Sequence, residues 1–348
     1  MTTSFTSLPI VDLAPLSSDC ANEDDLVQLS TRLHEVFATV GFAYLINAPL
    51  SFDHDDVFGM AKDFFRLPEE TKMSVAKKTF RKANSNTYRG QKLRMSRYFP
   101  VQPGADSQNL KAGFELGPSH RLPASSRPST SPFILTEPNC FPSSAQFSSR
   151  DRLETFYAEL SSLSNTLLAL LASSLGKNPA SFTSIMRNSV STLRLLHYPG
   201  HASDASSPSE EGEEEKLSCT PHTDSGLLTL LHQDATGGLE VRNAEGAWIP
   251  APHVPGSVVV NVGDLLARMS GGRFVATMHR VRSAAAERFS VPFFSEPGVD
   301  AMVGERGKEV RYEEFVLDKM GTWVEFQDEM EEMEIMSAVS ASSEVHAY

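Results

Sequence analysis

The second half of the chain carries a closely spaced series of short strand signals. Runs of β-branched, aromatic and leucine residues alternate with turn sequences such as Gly237-Gly238 and Pro255-Gly256. Many short strands with turn chemistry between them are typical of a jelly roll or a barrel, in which the sheets close around a common core. The runs cover residues 227–231, 239–242, 248–251, 257–262, 276–282 and 289–294. This pattern predicts a closed β structure as the core of the protein.

Helical patterns lie on both sides of this β-rich stretch. Apolar residues at helical spacing predict three helices, and Gly41 and Gly176 are placed to end the first and the third. The expected class is therefore α+β, with a jelly-roll core flanked by N-terminal and C-terminal helices. The expected helices cover residues 24–40, 53–65, 151–175 and, on the outside, 312–331, with a helical turn at 264–269 and further strands at 8–13, 42–46 and 191–198.

The same patterns divide the chain into regions. Residues 83–148 are rich in Pro, Ser and Gly and are expected to form loops. Residues 201–216 carry an acidic run that repels itself and contain almost nothing to bury, so we expect a disordered insertion between two strands. The expected division is an N-terminal support region at 1–145, a core with its long support helix and the C-terminal helix at 146–335, and a disordered tail at 336–348.

A histidine and an aspartate two residues apart, His222 and Asp224, open the β-rich stretch. Side chains two residues apart on a strand point to the same face, so the imidazole and the carboxylate could converge on one point. His279 follows after enough chain to turn back and bring a second imidazole there. Two imidazoles and a carboxylate on one face of a metal form the ligand set of non-haem Fe(II) oxygenases. A His-x-Asp pair alone is common, so this prediction depends on the residues that accompany it.

An arginine and a serine follow the second histidine and are again two residues apart. Arg288 offers a planar fork of donors that matches a carboxylate, and the Ser290 hydroxyl can add a hydrogen bond on the same face of a strand. Three ligands for a redox metal, followed by an anchor for a dicarboxylate, make a specific combination.

This combination resembles the pattern of the Fe(II)- and 2-oxoglutarate-dependent oxygenases of the isopenicillin N synthase-like group, in which H-x-D, a distant H and R-x-S follow one another. The resemblance implies a double-stranded β-helix (jelly-roll) core that holds Fe(II) at one mouth through His222, Asp224 and His279. It also implies 2-oxoglutarate as the co-substrate, with its far carboxylate on Arg288 and Ser290, and O2 as the oxidant. The loops rich in Pro, Ser and Gly would lie on the substrate side. The expected products are succinate, CO2 and an oxidised small organic molecule.

One strand departs from the plant-type pattern. Where many relatives read Asn-Tyr-Tyr-Pro-Pro, this chain keeps Tyr198 as a candidate donor to the co-substrate but has Leu196 in place of the asparagine. The segment LRLLHYP, together with GDLLAR later in the chain, is closer to the sequences of fungal nucleobase-oxidising members such as thymine dioxygenase. This departure favours a small-molecule hydroxylase of secondary metabolism over the plant hormone enzymes.

Similarity to the thymine dioxygenase-like members implies three substrate residues. Arg194 matches the arginine that hydrogen-bonds the base, and Phe294 matches one wall of an aromatic sandwich around it. Ser225 stands where those enzymes have tyrosine, so one stacking contact is missing and space opens beside the iron. We therefore expect thymine to be a poor substrate and the true substrate to be bulkier, with a polar group for Arg194. The alternative role of Arg194 is an ion pair with an acidic neighbour in the barrel.

Composition argues against several other classes of partner. A formal net charge of −13 disfavours nucleic acid and anionic membrane surfaces, and no apolar run approaches the length of a membrane span. The three cysteines, Cys20, Cys140 and Cys219, form neither a disulfide framework nor a zinc pattern, and no secretory signal is visible. We expect a monomeric cytoplasmic enzyme that acts on a small-molecule substrate.

Four other functions remain open at this point. An oxidase of the same fold could use no 2-oxoglutarate and hold its substrate's own carboxylate on Arg288 and Ser290. A catalytically silent sensor of small molecules could keep the fold, and a zinc hydrolase could use two histidines and one aspartate, although the Arg-x-Ser anchor would then be unexplained. A nucleobase hydroxylase is the alternative within the same reaction class. Succinate formation with added iron separates the 2-oxoglutarate-dependent hypothesis from the first three.

Overall fold

The computed structural model describes residues 3–17, 22–78, 81–86, 90–92, 111–126, 133–200, 217–305 and 307–320. The acidic insertion at 201–216, the tail at 336–348 and the part of the predicted C-terminal helix beyond Met320 lie outside the described residues. The helices are α1 (Ala14–Ser17), α2 (Glu23–Thr39), α3 (His54–Phe65), α4 (Glu69–Ser74), α5 (Arg150–Ser174), α6 (Ala180–Thr183), α7 (Asp264–Met269) and α8 (Tyr312–Met320). Within the described ranges, none of these helices is both long and apolar enough to cross a membrane.

The strands belong to two main sheets and a small separate ladder. Among the described residues, the larger sheet has eight strands in the order β1-β2-β10-β7-β12-β5-β4-β3, and the smaller has four in the order β6-β11-β8-β9. Neighbouring strands are antiparallel except for β1 and β2. The strands are β1 (Ile10–Asp12), β2 (Phe42–Ile46), β3 (Gly90–Lys92), β4 (Ala112–Leu116), β5 (Thr192–Tyr198), β6 (Leu217–His222), β7 (Leu228–Gln233), β8 (Leu239–Arg242), β9 (Trp248–Pro250), β10 (Val258–Val262), β11 (His279–Arg282), β12 (Arg288–Ser295), β13 (Met302–Val303) and β14 (Val310–Arg311).

The larger sheet packs against helices on one face and against the smaller sheet on the other. On the helix side, Leu230 and Phe293 belong to an apolar cluster that also contains two leucines of α2 and the leucines of α5. On the other side, Tyr44 and Val259 pack with Val241 of the smaller sheet. Because successive side chains of a strand point to opposite faces, β2, β7 and β10 contribute to both clusters. The space between the two sheets is therefore the interior of the jelly roll.

Helix α2 shows how local chemistry sets the elements that support this interior. The Asn22 side chain accepts a hydrogen bond from the backbone N–H of Asp25 at 2.8 Å, and together with the Asp25 carboxylate it forms a capping box. Gly41 follows the helix with φ of 74°, a left-handed conformation that favours glycine. A Cβ at Gly41 would lie 2.3 Å from the Val275 carbonyl oxygen. Glycine therefore both ends the helix and lets the segment before β11 approach it.

The expected α+β jelly roll with flanking helices is confirmed, and the helices predicted at 24–40, 53–65 and 151–175 correspond to α2, α3 and α5. The expectation of a loop throughout residues 83–148 is wrong for β3 and β4, which belong to the larger sheet. Strand β4 contains glycine and follows a lysine, so its local strand signal is weak, and its pairing with β5 supplies the structure. Strand β6, which begins directly after the acidic insertion, was also not predicted.

The strand predicted at 276–282 begins only at His279. The preceding residues bond to the end of α2 instead of extending the strand. The backbone N–H of Val275 donates to the Phe37 carbonyl oxygen at 2.9 Å, and the Thr277 hydroxyl donates to that of Val40 at 2.7 Å. This attachment fixes the point at which β11 starts.

The buried His232 on β7 should make stability depend on pH. His232 is 3% exposed, and burial, followed by the nearby His54, lowers its pKa from 6.5 to about 3. As pH falls below 6.5, the unfolded chain takes up a proton that the folded chain excludes, so the free energy of unfolding decreases between pH 6.5 and about 3.

We expect the free energy of unfolding of the native protein to fall between pH 7.5 and pH 5.5 by about 1 kcal/mol more than that of His232→Leu. Denaturant unfolding of both proteins at the two pH values measures this difference. The same decrease in both proteins would show that His232 does not contribute to the pH dependence.

Candidate active site

Two histidines lie side by side in the smaller sheet, one at the end of a strand and the other at the start of the neighbouring strand. Strand β6 ends at His222 and strand β11 begins at His279, and the two residues are direct cross-strand partners. Their ring centroids lie 4.2 Å apart. Asp224 follows β6 in a turn, so the prediction that His222 and Asp224 share one face of a strand is wrong. The turn, rather than strand alternation, brings the carboxylate to the two rings.

The Nε2 atoms of both rings face the same carboxylate oxygen. His222 Nε2 and His279 Nε2 each lie 3.8 Å from Asp224 Oδ1. The Nδ1 atoms contact backbone carbonyl oxygens, that of Thr220 at 2.7 Å and that of Thr277 at 3.1 Å. A carbonyl oxygen accepts a hydrogen bond, so these contacts place an N–H on Nδ1 and direct Nε2 of each ring at the shared point.

The second oxygen of Asp224 has different partners. Asp224 Oδ2 accepts hydrogen bonds from the Thr229 hydroxyl at 2.5 Å and from the Asn261 amide at 2.7 Å. Oδ1 is therefore the oxygen that faces the imidazoles. Within the described ranges, His222, Asp224 and His279 are the one group of three or more His, Cys, Asp or Glu residues whose ligand atoms lie close enough together to hold a metal ion. Two nitrogens and one oxygen on one side of such an ion fit Fe(II) and leave the opposite side open.

The electrostatics of the cluster also suit a divalent cation. Burial raises the pKa of Asp224, but the two neighbouring imidazoles and the two hydrogen bonds to Oδ2 outweigh burial, so this pKa lies below its usual value. Burial and the neighbouring His222 lower the pKa of His279 to about 4. Burial lowers the pKa of His222, but Cys219, Asp224 and Thr220 outweigh it and raise the value to about 9. The carboxylate is therefore ionised and His279 neutral, and a metal ion would displace a proton from His222.

The larger sheet presents a row of side chains to this cluster. Asn261 on β10 pairs with Thr229 on β7, and Thr229 pairs with Phe294 on β12. Direct cross-strand partners share a face, so Phe294 lies on the face that carries the two donors to Asp224. Alternate residues of β12 on this face lead back from Phe294 to Ser290 and Arg288. One strand therefore carries both candidate anchor residues and one candidate substrate residue, at different distances from the metal cluster.

Arg288 is held firmly in the interior. It is 2% exposed, and its Nε donates to the Gly237 carbonyl oxygen at 2.6 Å. Its Nη1 donates to the Ser290 hydroxyl at 3.3 Å, and its guanidinium lies 4.8 Å from the centre of the Tyr198 ring. The structure thus brings the three predicted co-substrate residues together. Tyr198 presents its ring face to the guanidinium, which fixes the orientation of the planar fork.

Arg194 has the acidic neighbour that the alternative role required. Its Nη2 lies 2.6 Å from Glu115 Oε1, and Lys77 Nζ lies 2.5 Å from the other oxygen of the same carboxylate. The Arg194 guanidinium also lies 5.2 Å from the centre of the Phe294 ring. The ion pair and the ring contact coexist, so Arg194 is oriented toward Phe294 while 22% of its side chain remains exposed.

Ser225 follows Asp224 directly and is half-buried. Its carbonyl oxygen accepts a hydrogen bond from the Leu265 N–H at 3.2 Å, and the Asp224 carbonyl oxygen accepts one from Asp264 at 2.7 Å. The first residues of α7 thus hold the turn that carries the carboxylate. Since Ser225 lies in this turn, a larger side chain there would lie close to the metal cluster.

Three polar residues of the site were missed by sequence reasoning: Glu115, Thr229 and Asn261. A signal existed for the last two, because each is a polar residue inside an apolar strand, Leu228-Thr229-Leu230 and Val260-Asn261-Val262. A buried polar side chain in such a strand needs a hydrogen-bond partner. The sequence did not identify that partner, because it lies on another element.

The chain matches two protein-family descriptions over most of its length. Residues 189–297 match the 2OG-Fe(II) oxygenase superfamily, and residues 8–143 match the N-terminal region of non-haem dioxygenases in morphine synthesis. All three metal-binding candidates and the Arg288–Ser290 pair fall inside the first match.

Two curated relatives agree with these matches, and a solved structure shares the fold. The chain is 32% identical to a 2-oxoglutarate-Fe(II) type oxidoreductase, hxnY, of Emericella nidulans, over 83% of this chain and 79% of that protein. It is 30% identical to a homoarginine-6-hydroxylase of Arabidopsis thaliana, over 87% of this chain and 81% of that protein. A full-length Neurospora crassa structure in complex with alpha-KG (2-oxoglutarate) and thymine superposes with a TM-score of 0.73 and 24% identity, covering 91% of this chain and 97% of the other.

Proposed function

Because the chain belongs to the 2OG-Fe(II) oxygenase superfamily and is a 2-oxoglutarate-dependent oxidoreductase, we propose that His222, Asp224 and His279 bind its iron. The observation that carries this proposal is the convergence of two Nε2 atoms on Asp224 Oδ1. The use of Fe(II) and 2-oxoglutarate in this superfamily favours this reaction over the zinc hydrolase, the silent sensor and the oxidase that needs no 2-oxoglutarate.

The other interior residues would bind and orient the reactants. When bound, Fe(II) with 2-oxoglutarate and O2 would supply the oxidation of the substrate, with succinate and CO2 as co-products. Arg288 would bind the far carboxylate of 2-oxoglutarate through charge-assisted hydrogen bonds, with the Ser290 hydroxyl beside it. Because Gly237 and the Tyr198 ring fix the guanidinium, the co-substrate would be held in one orientation. Burial of Arg288 keeps water away from this contact.

The proposed substrate is a small organic molecule of secondary metabolism that carries a polar group and is bulkier than thymine. Arg194 and Phe294 offer a donor and an aromatic face next to each other on the face that carries Thr229. Ser225, directly after Asp224, would occupy less space beside the metal than the tyrosine of the thymine dioxygenase-like enzymes. The relatives differ in their ligands, with homoarginine in the name of one and thymine in the structure of another, so the shared fold accepts varied small molecules.

Succinate release is the direct test of this function. The protein with Fe(II), 2-oxoglutarate and fractions of a metabolite extract should form succinate above background only with the fraction that contains the substrate. The same fraction should yield a product with one more oxygen or two fewer hydrogens by mass spectrometry. Oxygen consumption with substrate but without succinate would contradict the proposal. Efficient turnover of thymine would instead favour the nucleobase hydroxylase.

Replacing Ser225 with tyrosine should increase activity toward thymine. The tyrosine would supply a stacking contact worth roughly 0.5–1.5 kcal/mol, so thymine-dependent succinate release should rise roughly 2- to 12-fold from a low level. Ser225→Leu adds bulk without an aromatic face and is the matched control, expected to show no gain. Efficient thymine turnover by the unaltered protein would show that the proposed substrate class is wrong.

A further inference from the structure

The two oxygens of Asp224 face different partners. Oδ1 lies 3.8 Å from each imidazole Nε2, whereas Oδ2 accepts the hydrogen bonds of Thr229 and Asn261 at 2.5 and 2.7 Å. A carboxylate can bind a metal ion through one oxygen or through both. Hydrogen bonds to Oδ2 compete with binding through both, because they occupy that oxygen and hold it away from the imidazoles.

Both donors are built into the larger sheet. Thr229 is 5% exposed and Asn261 is 3% exposed, and they face each other across the β7–β10 pairing. The other residues of β10 are valines. A polar side chain costs free energy in such a strand unless it is hydrogen-bonded, and here both are directed to one carboxylate oxygen.

The backbone of the turn is held independently of these donors. Besides the hydrogen bonds from the first residues of α7 to the carbonyl oxygens of Asp224 and Ser225, Gly263 lies against the turn, where a Cβ would approach the Gly226 carbonyl oxygen to 2.3 Å. The backbone position of Asp224 therefore depends on α7. The rotation of its carboxylate depends on β7 and β10.

We propose that Thr229 and Asn261 are positioning residues that keep Asp224 bound to the metal through Oδ1 alone. This inference rests on the proposed iron site. Two imidazoles and one carboxylate oxygen leave three of six positions open, which 2-oxoglutarate and O2 together require. If Oδ2 also bound the metal, one of these positions would be lost. The donors thus protect the binding of the co-substrate rather than the binding of the metal.

The test separates metal binding from co-substrate binding in Thr229→Val, Asn261→Leu and the double variant. Calorimetry gives the Kd of Mn(II), which is redox-inert under these conditions, and then the Kd of 2-oxoglutarate for the Mn(II)-loaded protein. We expect the Mn(II) Kd to stay near that of the unaltered protein and the 2-oxoglutarate Kd to rise about tenfold or more. A crystal structure of the Mn(II)-loaded double variant should show both Asp224 oxygens on the metal.

Two controls accompany these variants. Thr192→Val removes a similarly buried hydroxyl at the start of β5, which donates to the Val190 carbonyl oxygen. This variant should change neither Kd. Thr229→Ser keeps the hydroxyl and should restore the 2-oxoglutarate affinity lost in Thr229→Val. The isosteric Thr229→Val also serves if Asn261→Leu fails to fold.

The outcomes distinguish this inference from the proposed function. If Thr229→Val loses Mn(II) affinity, the donors support the metal ligand itself and the inference is overturned. Unchanged affinities for both ligands in Thr229→Val and Asn261→Leu would also overturn it. If the unaltered protein binds no Mn(II) at His222, Asp224 and His279, the proposed iron site fails before this question arises.

Discussion

Replacing His279 with alanine is expected to abolish 2-oxoglutarate turnover while leaving the fold largely intact. The substitution removes one of three proposed iron ligands, and the two that remain cannot define the same open face on the metal. The backbone pairing of His279 with His222 and Val241 is unaffected by a change of side chain. Oxygen consumption, succinate release and iron content after desalting measure the effect. Alanine at His222 or Asp224 should have the same consequence.

A histidine outside the proposed metal site provides the matched control for this experiment. His253 is half-buried in the loop after β9, where its Nδ1 lies 3.0 Å from the Gln233 carbonyl oxygen. His253→Ala should retain iron and turnover, because His253 is outside the three-residue cluster. Circular dichroism and thermal unfolding show whether each variant is folded. Oxygen consumption at the unaltered level in His279→Ala would show that the metal assignment is wrong.

Replacing Arg288 with glutamine is expected to raise the KM for 2-oxoglutarate by on the order of tenfold or more, since a charge-assisted hydrogen bond contributes roughly 1.5–3 kcal/mol. The burial of Arg288 favours a large effect, because a carboxylate that enters this site loses water and needs a charged partner. The KM for the organic substrate should change less. Steady-state kinetics with each reactant varied in turn measures the two values separately.

Arg282→Gln is the control for loss of an arginine near the site. Arg282 lies on β11 of the smaller sheet with 54% of its side chain exposed, and its Nη1 lies 3.6 Å from Glu240. The KM for 2-oxoglutarate should stay near the unaltered value in this variant. An Arg288→Gln protein with an unchanged KM for 2-oxoglutarate and a raised KM for the substrate would place the substrate's carboxylate, rather than the co-substrate, on Arg288.

Much of the site could be predicted because its chemistry depends on residue type and order. Histidine, aspartate and arginine are the residues that supply a metal's nitrogen and oxygen ligands and a carboxylate's planar donors. Their order along the chain, with Ser290 after Arg288, carried the resemblance to the oxygenase family. The helices of the support region were predictable for a similar reason, since the apolar stripe of α2 and its glycine end lie within one short segment.

The route by which these residues meet could not be predicted. The sequence suggested that His222 and Asp224 share one strand face, but β6 ends at His222 and a turn held by α7 carries Asp224. Strand β4 was hidden for a related reason. Its residues have weak strand propensity, and pairing with β5 places Glu115 opposite Arg194. Strand pairing over long sequence separations depends on tertiary context rather than on local propensity.

The sequence by itself determined which atoms are available to bind a metal and a dicarboxylate, because those are properties of side chains. Only the tertiary structure decided that a single oxygen of Asp224 faces the imidazoles while the other is hydrogen-bonded elsewhere. This arrangement depends on Thr229 and Asn261, which donate hydrogen bonds to the other oxygen. From the sequence alone, each is only a polar residue within an apolar strand. The two residues act together because the register of β7 against β10 makes them cross-strand partners next to the carboxylate. Register depends on how two strands pair, so it cannot be read from the sequence of either strand alone.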